Sequence, residues 1–227
     1  MGDSLLKIRQ EVIGCARCPR LVEYRCRVAQ QKRRAYRDWQ YWGKPIPGFG
    51  DPKACLLVLG LAPAAHGGNR TGRVFTGDSS GDLLFATLYR TGFANQPQSV
   101  SVDDGLRLRG AYITASVRCA PPANKPLPAE FRNCREYLER ELDLLRNVKV
   151  VVALGKVAFD TYLSILQRRG QIASRSRFRF DHGAVTKFPP PLPTLIASYH
   201  PSRQNTQTGR LTQRMFLAVF RKAKAYL

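Results

Sequence analysis

Three observations predict an α/β fold for this chain of 227 residues. It contains four short, mainly apolar runs, and the segments between them carry apolar residues at helical spacing. Hydrophobic residues make up 44% and charged residues 23%, the usage of an ordinary packed protein rather than a disordered one. A chain of this length can bury a core without disulfide support. The runs are ACLLVLG at 54–60, AYITA at 111–115, VKVVVALG at 148–155 and TLIAS at 194–198. None alternates apolar with polar residues, so each is expected to be a parallel strand covered on both faces. Helices are expected over 83–90 with Asp82 as N-cap, over 128–145, over 156–167 after Gly155, and over 212–226. In the last of these, Met215, Phe216, Val219 and Phe220 share one side. Strands alternating with helices make a layered sandwich joined by right-handed crossovers. The opening segment, 5–31, reads as helical but broken at Cys18-Pro19, and residues 43–52 and 187–193 are Pro/Gly-rich loops. The whole chain, 1–227, is expected to be one domain with a basic N-terminal segment at 1–53.

Charge is the outlying property. Lys and Arg number 37 against 16 Asp and Glu, a formal net charge of +21. The excess is +7 over residues 1–53, +3 over 54–160 and +11 over 161–227, so the two ends hold most of it. Such a surface favours a polyanion, most often nucleic acid, although acidic-lipid binders share it. No run of eighteen apolar residues occurs, and the N-terminus MGDSLLKIRQEVIG lacks the apolar core of a signal peptide. A cytoplasmic protein is expected, with no membrane partner.

Six cysteines stand at 15, 18, 26, 55, 119 and 134. In a reducing compartment they are poor disulfide candidates. Cys15-x-x-Cys18 is a two-ligand loop; Cys119 follows the second strand and Cys134 lies on the helix after it. Cys55 opens an apolar strand and reads as core, while Cys26 has no partner spacing. Four cysteine ligands suit zinc or an iron–sulfur cluster, and spacing alone does not choose between them.

Two loops have the composition of a ligand site. GLAPAAHGGNRTGRVFTGDSSG (60–81) follows the first strand, at the sheet edge where open α/β folds bind ligands. It carries His66, Asn69, Arg70, Phe75 and Asp78. SYHPSRQNTQTGR (198–210) follows the fourth strand and places His200 just past its end, with Arg203 behind it. Loops equivalent in this way face each other across a cleft, where polar side chains such as Asn69 and Arg203 can converge on a small ligand and its phosphates.

These two stretches, together with VRCAPPANKP (117–126) and the four cysteines, resemble the family 5 (type b) uracil-DNA glycosylases over nearly the entire chain. The resemblance implies a three-layer α/β/α sandwich around a four-stranded parallel sheet. It implies a structural [4Fe–4S] cluster on Cys15, Cys18, Cys119 and Cys134, and DNA containing uracil or another deaminated base as partner. By the same resemblance Phe75 stacks on the extruded base, Asn124 reads its edge, His200 steadies charge on its oxygen, and Asp78 activates water or steadies the sugar cation. Backbone amides around Ala62 complete the base site. Related families carry a carboxylate or amide early in the first motif, where this chain reads Gly60-Leu-Ala-Pro-Ala-Ala, and an amide where this chain has Ala115. The burden then falls on Asp78 or on the leaving base, and the pocket is expected to be roomier, admitting hypoxanthine. The expected picture is a lesion base lodged between Phe75 and His200. Its rivals are a narrower family 4-like enzyme and a non-catalytic, cysteine-clamped module that binds damaged nucleic acid.

Overall fold

The computed structural model describes residues 2–227. The four apolar runs form the parallel strands β2 (Leu56–Gly60), β3 (Ala111–Ala115), β4 (Val150–Leu154) and β6 (Thr194–Ser198). Two edge strands of two residues each, β1 (Phe49–Gly50) and β5 (Val185–Thr186), pair antiparallel with β3 and β6. The sheet order is β1-β3-β2-β4-β6-β5, so the expected four-stranded sheet is the parallel centre of a six-stranded mixed one. Leu56 lies level with Ala111 on one side and Val150 on the other, and Val150 with Thr194, which brings the carboxyl ends together at one edge.

Strand pleating divides the core. Leu56, Val58, Ile113, Val150, Val152 and Ile196 face one layer, where α4 (Ser79–Arg90) and α8 (Gln213–Lys224) bring Leu84, Phe85, Phe216 and Phe220. Leu57, Leu59, Tyr112, Val151, Ala153 and Leu195 face the other, covered by α5 (Pro128–Leu144) and α6 (Lys156–Arg168) through Leu138, Phe159, Tyr162 and Leu163. Both faces are apolar because both are covered, hence the uninterrupted runs.

Helix ends follow their capping chemistry. Thr212 accepts the amide of Met215 and starts α8, and Glu130 reaches back to the Leu127 amide at 2.6 Å to start α5. The expected cap at Asp82 is one turn late: α4 begins at Ser79, and Asp78 caps it. The opening segment is two helices, α1 (Leu5–Ile13) and α2 (Pro19–Gln31), with Cys18 as the N-cap of α2 and Pro19 in its first turn. α1 lays Ile8 and Val12 against Tyr137 of α5. Ion pairs Arg17–Glu136 and Arg20–Glu130 fasten the α1–α2 junction to the same helix. No helix of the described residues is long and apolar enough to cross a membrane.

Candidate active site

The loops after β2, β3 and β6 meet at the carboxyl edge of the sheet and enclose a cavity of about 300 Å³. Phe75, Asp78, Asn124 and His200 line it, with Ala62 and Ala64 of the first loop. That volume is at the lower end for ligand pockets, the scale of one small heterocycle.

Phe75 sits in the left-handed region, at φ 54°, where a bulky residue is held only by its surroundings. A side chain on Gly60 would come within 2.6 Å of the Phe75 ring, so the glycine at the end of β2 is what lets the ring lie there. The Phe75 and His200 rings are 5.9 Å apart between centroids and tilted by 30°. That is direct contact for an aromatic pair. The two rings therefore form one continuous wall and leave no gap between them for the expected sandwich.

Asp78 has two duties. One carboxylate oxygen, Oδ1, accepts the amides of Ser80 and Gly81 at 2.9 and 3.0 Å, capping α4. The other, Oδ2, lies against Gly67, where any Cβ would overlap it. His200 is held by its backbone: Asn205 donates its amide to the His200 carbonyl at 2.8 Å. Burial lowers the His200 pKa, and the Asp78 charge only partly restores it, so the ring is neutral at neutral pH and offers a single N–H. Ala123 and Asn124 are consecutive left-handed residues after two prolines, which turns Asn124 out to the cavity rim. Its side-chain amide makes no hydrogen bond among the described residues and is free to read a base edge.

Two expected ligand residues lie elsewhere. Asn69, in the one-turn helix α3 (Gly68–Thr71), is buried, and its side-chain amide donates to the Arg25 carbonyl at 3.1 Å, tying the β2 loop to α2. Arg203 lines a neighbouring hollow. Leu61, Ser80 and Ser202 also line the cavity but were not singled out by sequence. Both serines sit at helix starts, Ser80 in the first turn of α4 and Ser202 as the N-cap of α7 (Arg203–Gln207), and that position was the signal available.

The cysteines gather behind this cavity. Cys18, Cys119 and Cys134 share a buried patch with Leu21 and Val117, and Ala62 of the cavity wall packs on it. Cys15 lies beside Tyr137. Burial, with the neighbouring cysteines adding to it, pushes the thiols of Cys119 and Cys134 up to about 12 and about 11. Asn133 donates to the Cys18 sulfur at 3.3 Å. No three His, Cys, Asp or Glu among the described residues close around one point in a way that could hold a metal ion. Cys55, expected in the core, is instead half-buried just before β2 and donates to the Gly110 carbonyl, while Cys26 on α2 turns toward the Gly43 carbonyl.

The model of the Uracil DNA glycosylase superfamily matches residues 47–224. The chain belongs to that superfamily. Within it, the chain is similar to the Type-5 uracil-DNA glycosylase of Thermus thermophilus, at 52% identity over 95% of this chain and 94% of that protein. The Type-5 enzyme of Pyrobaculum aerophilum is 47% identical over 94% of this chain and 89% of its own length. The Type-4 uracil-DNA glycosylase of Sulfurisphaera tokodaii reaches only 32%, over 68% of this chain and 56% of its own. Among superfamily members the likeness thus runs to Type-5 and away from the family 4-like alternative.

Proposed function

We propose that this superfamily member hydrolyses the N-glycosidic bond of uracil in DNA, and of hypoxanthine by the same route, leaving an abasic site. The observation that carries the reading is the convergence of Asp78, Asn124, Phe75 and His200 on one base-sized cavity. In a duplex the target nucleotide must swing out of the stack, at a cost of a few kcal/mol that is least at a weak pair. The net charge of +21 attracts the phosphates and offsets that cost. The base lies along the Phe75–His200 wall, with its edge at Asn124. As the bond breaks, negative charge grows on the base and positive charge on the sugar. Neutral His200 donates to the base oxygen, and the Asp78 carboxylate faces the sugar cation or the attacking water. Incubating the full chain with a duplex holding one uracil opposite guanine should yield a single alkali-labile break at the uracil. A folded preparation that leaves this strand alkali-stable overturns the reading.

The residues around Cys15, Cys18, Cys119 and Cys134 fit a [4Fe–4S] cluster. A single zinc ion draws its sulfurs to about 2.3 Å from one point, whereas a four-iron cube takes one thiolate at each of four corners; three buried thiols with the half-buried Cys15 beside them supply four such ligands. When bound, the cluster would cross-link α1, α2, α5 and the β3 loop behind Ala62; the hydrolysis needs no electron from it. Anaerobically purified protein should be brown, with a broad visible band and about four irons per chain, and Cys134→Ser should bleach it. A colourless preparation with one zinc per chain would reject the cluster.

A further inference from the structure

A second hollow, of about 410 Å³, adjoins the base cavity and shares Asp78 and Asn124 with it. One wall comes from the N-terminal segment, through Tyr24 of α2 and Arg33 and Tyr36 just beyond it. All three precede residues 47–224, the span common to the superfamily. Arg203, at the start of α7, lines it from the β6 loop.

Arg33 and Arg203 differ from the other arginines around the site. Arg70 lies flat against the rings of Tyr36 and Trp39, at 4.0 and 4.1 Å, and donates to the carbonyls of His66 and Gly77. Arg73 is paired with Asp104 and Arg20 with Glu130. Arg33 and Arg203 are exposed, and among the described residues neither guanidinium has an ion pair or a hydrogen bond. Arg33 is nevertheless held at its backbone. Its amide donates to the Tyr41 hydroxyl at 3.4 Å, and that hydroxyl is 3.1 Å from Nδ1 of His66, in the β2 loop. Burial, with Arg33 and Arg70 nearby, lowers the His66 pKa and keeps its ring able to accept from Tyr41. The free cation is thus tied to the loop that forms the cavity wall.

We propose that Arg33 and Arg203 together hold the phosphodiester group next to the extruded nucleotide, so that the N-terminal segment completes the substrate site. This rests on the glycosylase reading. A nucleotide with its base in the cavity carries its sugar and phosphates out past Asp78 and Asn124, and the second hollow opens there. Asp78 alone would repel a phosphate; two unpaired guanidiniums beside it reverse the sign of the field and supply forked donors for phosphate oxygens. Such contacts set the register of the strand without reading sequence.

The test uses uracil-containing strands in which one linkage flanking the uridine at a time is an uncharged methylphosphonate. Wild-type protein should lose affinity about ten-fold at one of these linkages, as for a hydrogen bond to a charged group. Arg33→Ala should bind the unmodified strand about ten-fold more weakly, lose its response to that same linkage, and show a log–log salt slope lower by about 1. Arg33→Lys should recover part of the response, and Arg90→Ala, at the far end of α4, should keep all of it. Wild-type indifference to both linkages, or undiminished sensitivity in both Arg33→Ala and Arg203→Ala, overturns the proposal. Failure of the glycosylase reading looks different, because then no strand is cut by the wild-type protein.

Discussion

Asp78→Asn is expected to slow single-turnover excision of uracil by about 100-fold or more, the range for loss of a positioned acid–base group, with no comparable loss of stability. The reasoning separates the two oxygens of Asp78. Oδ1 caps α4 through the amides of Ser80 and Gly81, and an asparagine side chain caps a helix about as well as an aspartate. Oδ2 faces the cavity past Gly67, and only its charge is lost in the amide. A 100-fold loss corresponds to about 2.7 kcal/mol of transition-state stabilisation, reasonable for one carboxylate beside a developing cation. The substitution also removes the negative charge that props up the His200 pKa, so His200 stays neutral over an even wider range and its N–H remains available. Loss of rate therefore reports the carboxylate and not a change at His200. Quenched-flow excision at saturating enzyme, beside a thermal melt, reads both quantities. An Asp78→Asn protein that excises at the wild-type rate removes Asp78 from the chemistry.

The sheet centre was legible because parallel strands covered on both faces are apolar along most of their length, without alternation, and 111–115 and 194–198 match β3 and β6 to the residue. The edge strands were not, because Phe49–Gly50 and Val185–Thr186 are two residues long, half-buried and without a pattern. The cap of α4 was misplaced for a functional reason. Apolar periodicity begins at Leu83, whereas the true first turn, Ser79 to Gly81, faces the site and carries no apolar signal. Phe75, Asp78, Asn124 and His200 could be placed in one site because the loop motifs that carry them resemble those of a known family; all four line the cavity. Asn69 could not be sorted from them: a polar residue in a glycine-rich loop reads the same whether it meets a ligand or, as here, a carbonyl of α2. Arg33 was invisible, since nothing local marks a cation as unpaired. Ion pairs buried across long sequence separations were equally silent, and one of them governs stability.

That pair is Arg118–Glu141, with both side chains at most 2% exposed and a guanidinium–carboxylate distance of 2.7 Å. Thr114 of β3 donates to the same carboxylate oxygen at 2.6 Å and accepts from Arg118 at 2.5 Å, closing a three-membered network between β3 and α5. Burial works against the Arg118 charge, but Glu141 more than compensates and raises its pKa, so the guanidinium stays ionised. Glu141→Leu would strand that cation in the core. Removing one partner of a buried pair costs about 3–5 kcal/mol, or roughly 6–20 °C in Tm for a chain of this length. The loss should spread to the cysteine site, because Arg118 directly precedes Cys119, and its backbone amide bonds Cys134. Arg118→Met combined with Glu141→Leu should regain more than half of the lost stability, since an apolar replacement of the whole pair leaves no charge to solvate. Thermal melts of the single and double variants, followed by circular dichroism, form the test. A Glu141→Leu melt within 2 °C or so of wild type, below even the smallest shift expected from one lost partner, would show that water already reaches the guanidinium. A double variant no better than the single would place the cost in packing rather than in the unpaired charge.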